Sequence, residues 1–173
     1  MQNDKERKVR DLMIPIKDYG AISTEQSIKD AFEVLDNSGH RAVLVLDEKK
    51  KPVGILSVRD ILLGLDPKYN AQRGDVSSMG ESWFTRETFK DYPVFYYEGQ
   101  FSGQCKAEVE KKAKEIMAPI ELTIDEEAPL AEAVHVMVSG NIGRLPVRKG
   151  DEIIGMIRLM EIFNEMKKVI LGH

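Results

Sequence analysis

The sequence predicts an α+β fold in which two β-α-β-β-α units pack against each other through their sheets. Three observations predict this fold: a repeat at a distance of about one hundred residues, apolar runs typical of buried strands, and apolar residues at helical spacing before each run. A single unit of about 55 residues buries little apolar surface, whereas two units can cover each other's sheets.

The repeat is clearest where each unit begins. Met13 and Pro15 of the first unit match Met117 and Pro119 of the second, which lie 104 residues later. Further pairs recur 101 or 102 residues apart: Ile22 and Ile124, Ile28 and Leu130, Ala31 and Ala133, Val45 and Val147, and Gly54 and Gly155. Because the spacing changes by only three residues, we infer two homologous units that differ in the length of their loops.

The first unit is predicted to contain a capped amphipathic helix. Apolar residues within 28–35 recur at i, i+3, i+4 and i+7, which places them on one helical face. Ser27 and Asp30 stand three residues apart, the spacing of a capping box, and Gly39 is placed to end the helix. These signals delimit one helix between Ser27 and Gly39.

Two strands and a second helix are predicted to follow. Residues 42–47 form an apolar run that is typical of a strand buried on both faces. The charged residues 48–51 predict a turn, and residues 52–56 predict a second strand. A helix then begins near Ser57.

The second unit repeats this order. Pro129 is placed at the start of a helix and Gly140 at its end. Residues 144–147 and 152–157 predict two strands, and a last helix is predicted to run to about Ile170. The proline within the first of these strands predicts an edge position or a missing hydrogen bond in the ladder.

A segment rich in aromatic residues, residues 67–108, belongs to neither unit. It holds nine of the chain's twelve aromatic side chains. A solvated linker would not concentrate such groups, so we expect much of this segment to fold and pack. Two roles stay open for it: covering an exposed edge of the module, or providing a dimer contact or a surface for a partner.

Composition and charge exclude several classes of protein. The 173 residues carry a net charge of −4 and 31% of them are charged, which favours a globular protein without general affinity for nucleic acid. No apolar run reaches the length of a membrane span, and the charged N-terminus does not resemble a signal peptide. With one cysteine, the chain is expected to be cytoplasmic.

The sequence contains neither a catalytic motif nor a recognisable metal site. No phosphate-binding loop, dinucleotide-binding glycine motif or nucleophile elbow is present, so we expect no enzyme activity. His40, His135 and His173 are far apart in sequence and have no cysteine at ligand spacing. We therefore expect no metal and no required cofactor.

The order and spacing of these segments resemble a tandem of CBS domains, which is also called a Bateman module. The resemblance rests on Asp11-Leu12-Met13 and Glu115-Ile116-Met117, where each unit begins, on Arg144-Leu145-Pro146-Val147, and on Gly54-Ile55-Leu56-Ser57-Val58-Arg59-Asp60. The last of these segments matches the family's Gly-apolar-x-Ser/Thr-x-x-Asp pattern in full.

The resemblance also implies an organisation and partners. It covers residues 7–66 as a first unit and 109–170 as a second, and it leaves 67–108 as an insertion. CBS pairs associate face to face, so the resemblance implies a homodimer built through the helices. It further implies a stand-alone regulatory module that signals to a separate, unidentified protein partner.

In this family the cleft between paired units binds adenosine nucleotides. Carried over to this chain, the resemblance implies that Asp60 accepts hydrogen bonds from the ribose hydroxyls and that Ser57 donates to a phosphate oxygen. It also places other residues near the ligand: Ile22 and Thr24 beside the base, and His40 and Arg41 near the phosphate. The implied ligand is AMP, ADP, ATP or S-adenosylmethionine, and the choice among them stays open.

The second unit departs from this pattern. Arg158 and Glu161 stand at the positions of Ser57 and Asp60. Glutamate is one methylene longer than aspartate and would crowd a ribose, while Arg158 is able to complement a phosphate. Arg144 is either a phosphate ligand or a residue that is solvated or forms a salt bridge between the units. We therefore expect one competent site and one altered site.

The pattern of Ser57 and Asp60 also has an explanation that needs no ligand. A serine at the start of a helix with an acidic residue three positions later satisfies unpaired backbone N–H groups and complements the helix dipole. Two functions therefore remain open: a nucleotide-sensing regulatory module, or an interaction and dimerisation module with an empty cleft.

Overall fold

A computed structural model of the protein describes residues 7–64 and 100–172. Its helices are α1 (Ile16–Tyr19), α2 (Ile28–Ser38), α3 (Val58–Gly64), α4 (Gln100–Val109), α5 (Ala113–Ile116), α6 (Leu130–Ser139) and α7 (Leu159–Leu171), and a 3-10 turn spans Val9–Asp11. Its strands are β1 (Ile14–Pro15), β2 (Ala21–Ser23), β3 (Ala42–Leu46), β4 (Pro52–Ser57), β5 (Ala118–Pro119), β6 (Ile124–Asp125), β7 (Arg144–Lys149) and β8 (Glu152–Arg158). The predictions for residues 67–99 of the aromatic segment lie outside the described residues.

Within the described ranges, the strands form two four-stranded sheets. One sheet has the order β2-β3-β4-β5 and the other has the order β1-β8-β7-β6. The central strands of each sheet are antiparallel, and the short strands β2 and β6 run parallel to β3 and β7. The predicted α+β fold with two similar units is confirmed.

Each unit contributes its leading strand to the sheet of the other unit. β1 pairs antiparallel with β8, so that Pro15 lies opposite Gly155. β5 pairs antiparallel with β4, so that Pro119 lies opposite Gly54. At both of these strand exchanges, a proline of one unit lies opposite a glycine of the other, and this proline and this glycine occur at matching positions of the repeat.

Alternation along the strands separates two kinds of core. In β3, Val43 and Val45 face α2 and pack with Ile28, as expected for the helix side of a sheet. Leu44 faces the opposite side and clusters with Met156 from the second unit. The two sheets therefore pack against each other, as the sequence predicts.

Local signals locate the ends of α2 correctly. The Ser27 N–H donates to Asp30 Oδ2 at 2.8 Å, and the Asp30 N–H donates to Ser27 Oγ at 3.2 Å, which completes the predicted capping box. Gly39 adopts a left-handed φ of 66°, and its N–H donates to the Leu35 carbonyl. Both predicted boundaries are confirmed.

Pro146 lies within β7, which has a neighbouring strand on each side. β6 pairs with β7 only from Val147 onward, so Pro146 is flanked by β8 alone. A residue without an N–H is tolerated at such a position because no second ladder needs its hydrogen bond. Of the two predicted alternatives, the edge strand is wrong, because β7 lies between β8 and β6, and the missing ladder hydrogen bond fits Pro146, which β6 does not pair with.

The longest helix in the described ranges is α7, with 13 residues. Among residues 7–64 and 100–172, no helix combines the length and the apolar character that crossing a membrane requires.

Candidate functional site

Ser57 and Asp60 form a capping box at the start of α3. The Ser57 N–H donates to Asp60 Oδ2 at 2.8 Å, the Ser57 hydroxyl donates to the same oxygen at 2.5 Å, and the Asp60 N–H donates to Ser57 Oγ at 3.2 Å. The serine is almost completely buried. Because a carboxylate offers roughly four lone-pair positions, the cap does not by itself prevent Asp60 from accepting a ribose hydroxyl.

The start of β3 lies beside this capping box. Ser57 is the register partner of Ala42, and the Val58 N–H donates to the Arg41 carbonyl at 3.0 Å. Arg41 and His40 therefore lie at the same end of the first sheet as Ser57 and Asp60. The structure brings together four of the residues predicted for the nucleotide site.

His40 connects the first unit to the second. Its ring stacks on Tyr19, with the ring centroids 5.0 Å apart, and its Nδ1 lies 3.1 Å from Arg158 Nη1. Its Nε2 lies 3.3 Å from the Asp18 carbonyl oxygen. Since the guanidinium can only donate, these partners assign Nδ1 of His40 as the acceptor and Nε2–H as the donor.

Arg158 and Glu161 form a two-point ion pair at the start of α7. Arg158 Nε donates to Glu161 Oε2 at 2.8 Å, and Arg158 Nη2 donates to Glu161 Oε1. The hydrogen bond to Glu161 raises the pKa of the Arg158 guanidinium above its ordinary value. The two units therefore differ at the start of their last helices. The first unit has the serine–aspartate capping box, and the second unit has a salt bridge in its place.

Arg144 and Tyr19 lie next to this ion pair. Arg144 is the register partner of Arg158, so both arginines project from the same face of the second sheet. Tyr19 is fully buried, and burial raises the pKa of its phenol, although Arg144 and Arg158 act in the opposite direction. A side-chain hydrogen bond between Tyr19 and Arg144 also lowers the pKa of the phenol.

Ile22 and Thr24 lie away from these groups. Ile22 is buried in the core on the α2 side of the first sheet. The Thr24 N–H donates to the carbonyl of Leu46, at the opposite end of β3 from Ala42. At about 3.3 Å per residue, that strand separates the two ends by roughly 13 Å. The structure does not bring Ile22 and Thr24 together with Ser57 and Asp60.

Tyr19 lies in this region but was not predicted from the sequence. A signal for it exists in the repeat, because the spacing falls from 104 at Pro15 and Pro119 to 102 at Ile22 and Ile124. The first unit therefore has two additional residues before β2, and α1 with Tyr19 lies in that stretch. The difference in loop length between the two units therefore indicates the stretch of the first unit that contains Tyr19.

The described residues contain no group of three or more histidine, cysteine, aspartate or glutamate side chains that is suited to hold a metal ion. The polar groups that the structure describes between the units include Arg158, which is paired with Glu161, and His40.

Comparison with known proteins identifies the fold. The family model described as CBS domain matches residues 9–66 and 113–168. The CBS-pair protein CBSX2 from Arabidopsis thaliana aligns at a TM-score of 0.68 and 19% identity, over 95% of this chain and 97% of that chain. A CBSX2 crystal structure in complex with AMP aligns at 0.64 and 20% identity, over 94% and 97%.

A CBS domain-containing protein of unknown function from Bacillus anthracis aligns at a TM-score of 0.65 and 19% identity, over 97% of this chain and 99% of that chain. No curated protein matches the chain significantly. At these identities the structural likeness shows the fold.

Proposed function

The chain belongs to the CBS domain family, and from this premise we propose that it is a regulatory module that binds an adenosine nucleotide in the cleft between its two units. The observation that carries the proposal is the position of Ser57 and Asp60. They lie at the end of the first sheet, next to the residue pair His40 and Arg41, and His40 reaches Arg158 of the second unit.

A nucleotide has a group that suits each of these residues. The ribose hydroxyls donate to Asp60, and the phosphate oxygens accept from the Ser57 hydroxyl and from the Arg41 guanidinium. The Ser57 hydroxyl has a single proton, which it donates to Asp60 Oδ2 in this structure. Phosphate binding therefore requires the hydroxyl to rotate away from the cap.

AMP is the first ligand to test, because the CBSX2 complex described above contains it. ADP, ATP and S-adenosylmethionine share the adenosine group and are the other candidates. Ile22 and Thr24 are not included in the proposed site because they lie in the helix-side core and at the far end of β3.

We expect one nucleotide for each chain. At the equivalent position in the second unit, both carboxylate oxygens of Glu161 accept from Arg158. A ribose would have to displace the guanidinium from a two-point ion pair, which is among the stronger polar contacts in proteins.

The proposed signal to a protein partner is a change in how the two units are arranged. A nucleotide shifts such an equilibrium only if it binds the two arrangements with different affinities. The hydrogen bond between His40 and Arg158 spans the two units. A change in their relative tilt would therefore alter this contact.

Thermal unfolding of three proteins tests the site. The wild type, Asp60→Ala and Asp30→Ala are each heated with AMP, ADP, ATP, S-adenosylmethionine or adenosine. Asp30 is a matched control, because it forms the same capping box with Ser27 at the start of α2. A ligand at 100 times its Kd is expected to stabilise wild type and Asp30→Ala by about 2.7 kcal/mol, and Asp60→Ala by much less.

Two results would contradict this proposal. Equal stabilisation of Asp60→Ala and wild type would remove Asp60 from the site. No stabilisation of the wild type by any of these ligands at millimolar concentration would refute nucleotide sensing and favour the second candidate function.

The second candidate is an interaction and dimerisation module, and the surface of α7 favours it. Six apolar side chains of α7 are more than half exposed: Met160, Phe163, Met166, Val169, Ile170 and Leu171. On α3, the Leu62 side chain is exposed to a similar degree. An apolar surface of this kind is typical of a protein interface, so we propose that the chain forms a homodimer through these helices.

A further inference from the structure

Residues 8–10, which precede β1, dock on a turn of the second unit, residues 126–129 between β6 and α6. The Val9 N–H donates to the Ala128 carbonyl oxygen at 2.9 Å, and the Arg10 N–H donates to the Glu126 carbonyl oxygen at 3.0 Å. The Val9 side chain is fully buried in the core of the second unit. These residues therefore belong to the first unit in sequence but to the second unit by their contacts.

Residues 112–114 dock in the same way on the first unit, at the turn between β2 and α2. The Ala113 N–H donates to the Gln26 carbonyl oxygen at 2.8 Å, and the Lys114 N–H donates to the Thr24 carbonyl oxygen at 3.2 Å. The Ala113 side chain is fully buried in the core of the first unit. The two docked segments therefore make equivalent contacts with equivalent turns.

A glutamate in each turn pairs with both basic residues of the docked segment. Glu127 accepts hydrogen bonds from Lys8 and Arg10. At the other turn, Glu25 accepts from both lysines of residues 112–114. Hydrogen bonds from these basic groups lower the pKa of both glutamates. Each turn therefore contacts the same pattern, an apolar residue between two basic ones.

We propose that each of the two turns is a docking site for a basic–apolar–basic segment, and that the two docked segments hold the units together without a covalent connection. The buried apolar residue and the backbone hydrogen bonds supply most of the affinity, because exposed ion pairs contribute little. The glutamate supplies the preference for basic over acidic segments, because like charges repel. This proposal does not depend on nucleotide binding.

A cut between the units tests whether the docked segments hold them together. A protease cleavage sequence is introduced within residues 65–99, and the folded full-length chain is cut there. We expect the two halves to elute together at the mass of the uncut protein, because each half carries the segment that completes the core of the other. Separation of the halves at micromolar concentration would overturn the proposal.

Charge reversal distinguishes docking from the packing of the two sheets, which also holds the halves together. Glu127→Lys places like charges opposite Lys8 and Arg10. We expect it to raise the dissociation constant of the cut halves by roughly three- to tenfold, as measured by dilution in the analytical ultracentrifuge. Adding Lys8→Glu and Arg10→Glu restores opposite charges and is expected to return the constant most of the way to the wild-type value.

The matched control combines Glu127→Lys with Lys112→Glu and Lys114→Glu, which gives the same net charge as the rescue combination. Because these lysines pair with Glu25, the control disturbs the second docking site as well. We expect its halves to dissociate more readily than those of Glu127→Lys alone. Equal rescue by both combinations, or no effect of Glu127→Lys, would overturn the proposed docking sites.

Discussion

Gly155 lies so close to Ile14 that a Cβ at this position would stand 2.6 Å from the Ile14 carbonyl oxygen. The contact is between the two units, because Ile14 belongs to the leading strand of the first unit and Gly155 to the sheet of the second. At the equivalent crossing, a Cβ on Gly54 would collide with Met117 Sδ. The shared glycines therefore allow the leading strands to cross.

The first prediction is that Gly155→Ala destabilises the protein by about 1–3 kcal/mol, the usual cost of forcing an extra methyl group into a packed region. Gly54→Ala is expected to cost less, because the nearest atom is the end of a flexible methionine side chain. Urea unfolding measures both, with Gly143→Ala as the control since nothing lies near its Cβ position. A Gly155→Ala protein as stable as the wild type would show that the strands do not cross as described.

The second prediction concerns the contact of His40 with Arg158. A double-mutant cycle with His40→Ala and Arg158→Ala is expected to give a coupling of about 1 kcal/mol in the free energy of unfolding, because the pair is half-buried and hydrogen-bonded. A parallel cycle of His40→Ala with Arg148→Ala is the reference, since Arg148 pairs with Asp125 instead. Its coupling is expected to stay within about 0.5 kcal/mol. Equal coupling in both cycles would argue against the contact between the units.

The third prediction concerns the pKa of Glu25. Its carboxylate accepts from the Lys112 and Lys114 ammonium groups, each at 2.5 Å. These hydrogen bonds lower the pKa of Glu25 from 4.5 to about 2. Because the folded-state pKa is depressed, the pairing stabilises the protein above pH 4.5, and this stabilisation is lost as the pH falls through about 2.

An NMR titration of the Glu25 carboxyl group checks this value. The midpoint is expected to move towards 4.5 in a Lys112→Ala, Lys114→Ala variant, and also in about 1 M salt, because exposed charges are screened. Lys49→Ala, which removes an exposed lysine elsewhere, should leave the midpoint unchanged. A wild-type midpoint near 4.5 would show that the ion pairs do not persist in solution.

The fourth prediction follows from the exposed apolar surface of α7. Light scattering is expected to give twice the mass of one chain for the wild type, and the mass of one chain for a Phe163→Glu, Val169→Glu variant. Leu122→Glu is the control, since Leu122 is half exposed but lies in a loop and not on a helix. A wild-type monomer, or a variant that stays dimeric, would contradict a homodimer built through α7.

Features that depend on interactions between neighbouring residues could be predicted from the sequence, whereas features that depend on distant residues could not. The ends of α2 follow from Ser27, Asp30 and Gly39, which act on backbone groups only three or four residues away. The capping box at Ser57 and Asp60 is equally local. The exchange of leading strands was not predicted, because two residues carry too little pattern to show which sheet they join.

The two similar units, the order of their helices and strands along the chain, and the local caps could all be predicted from the sequence, because repeats, helical spacing and capping residues can be read along the chain. The residues that meet between the units could not be predicted in this way. His40 and Arg158 are 118 positions apart, and the buried Tyr19 was not predicted at all. Such contacts depend on how two sheets pack, and no short stretch of sequence specifies that packing.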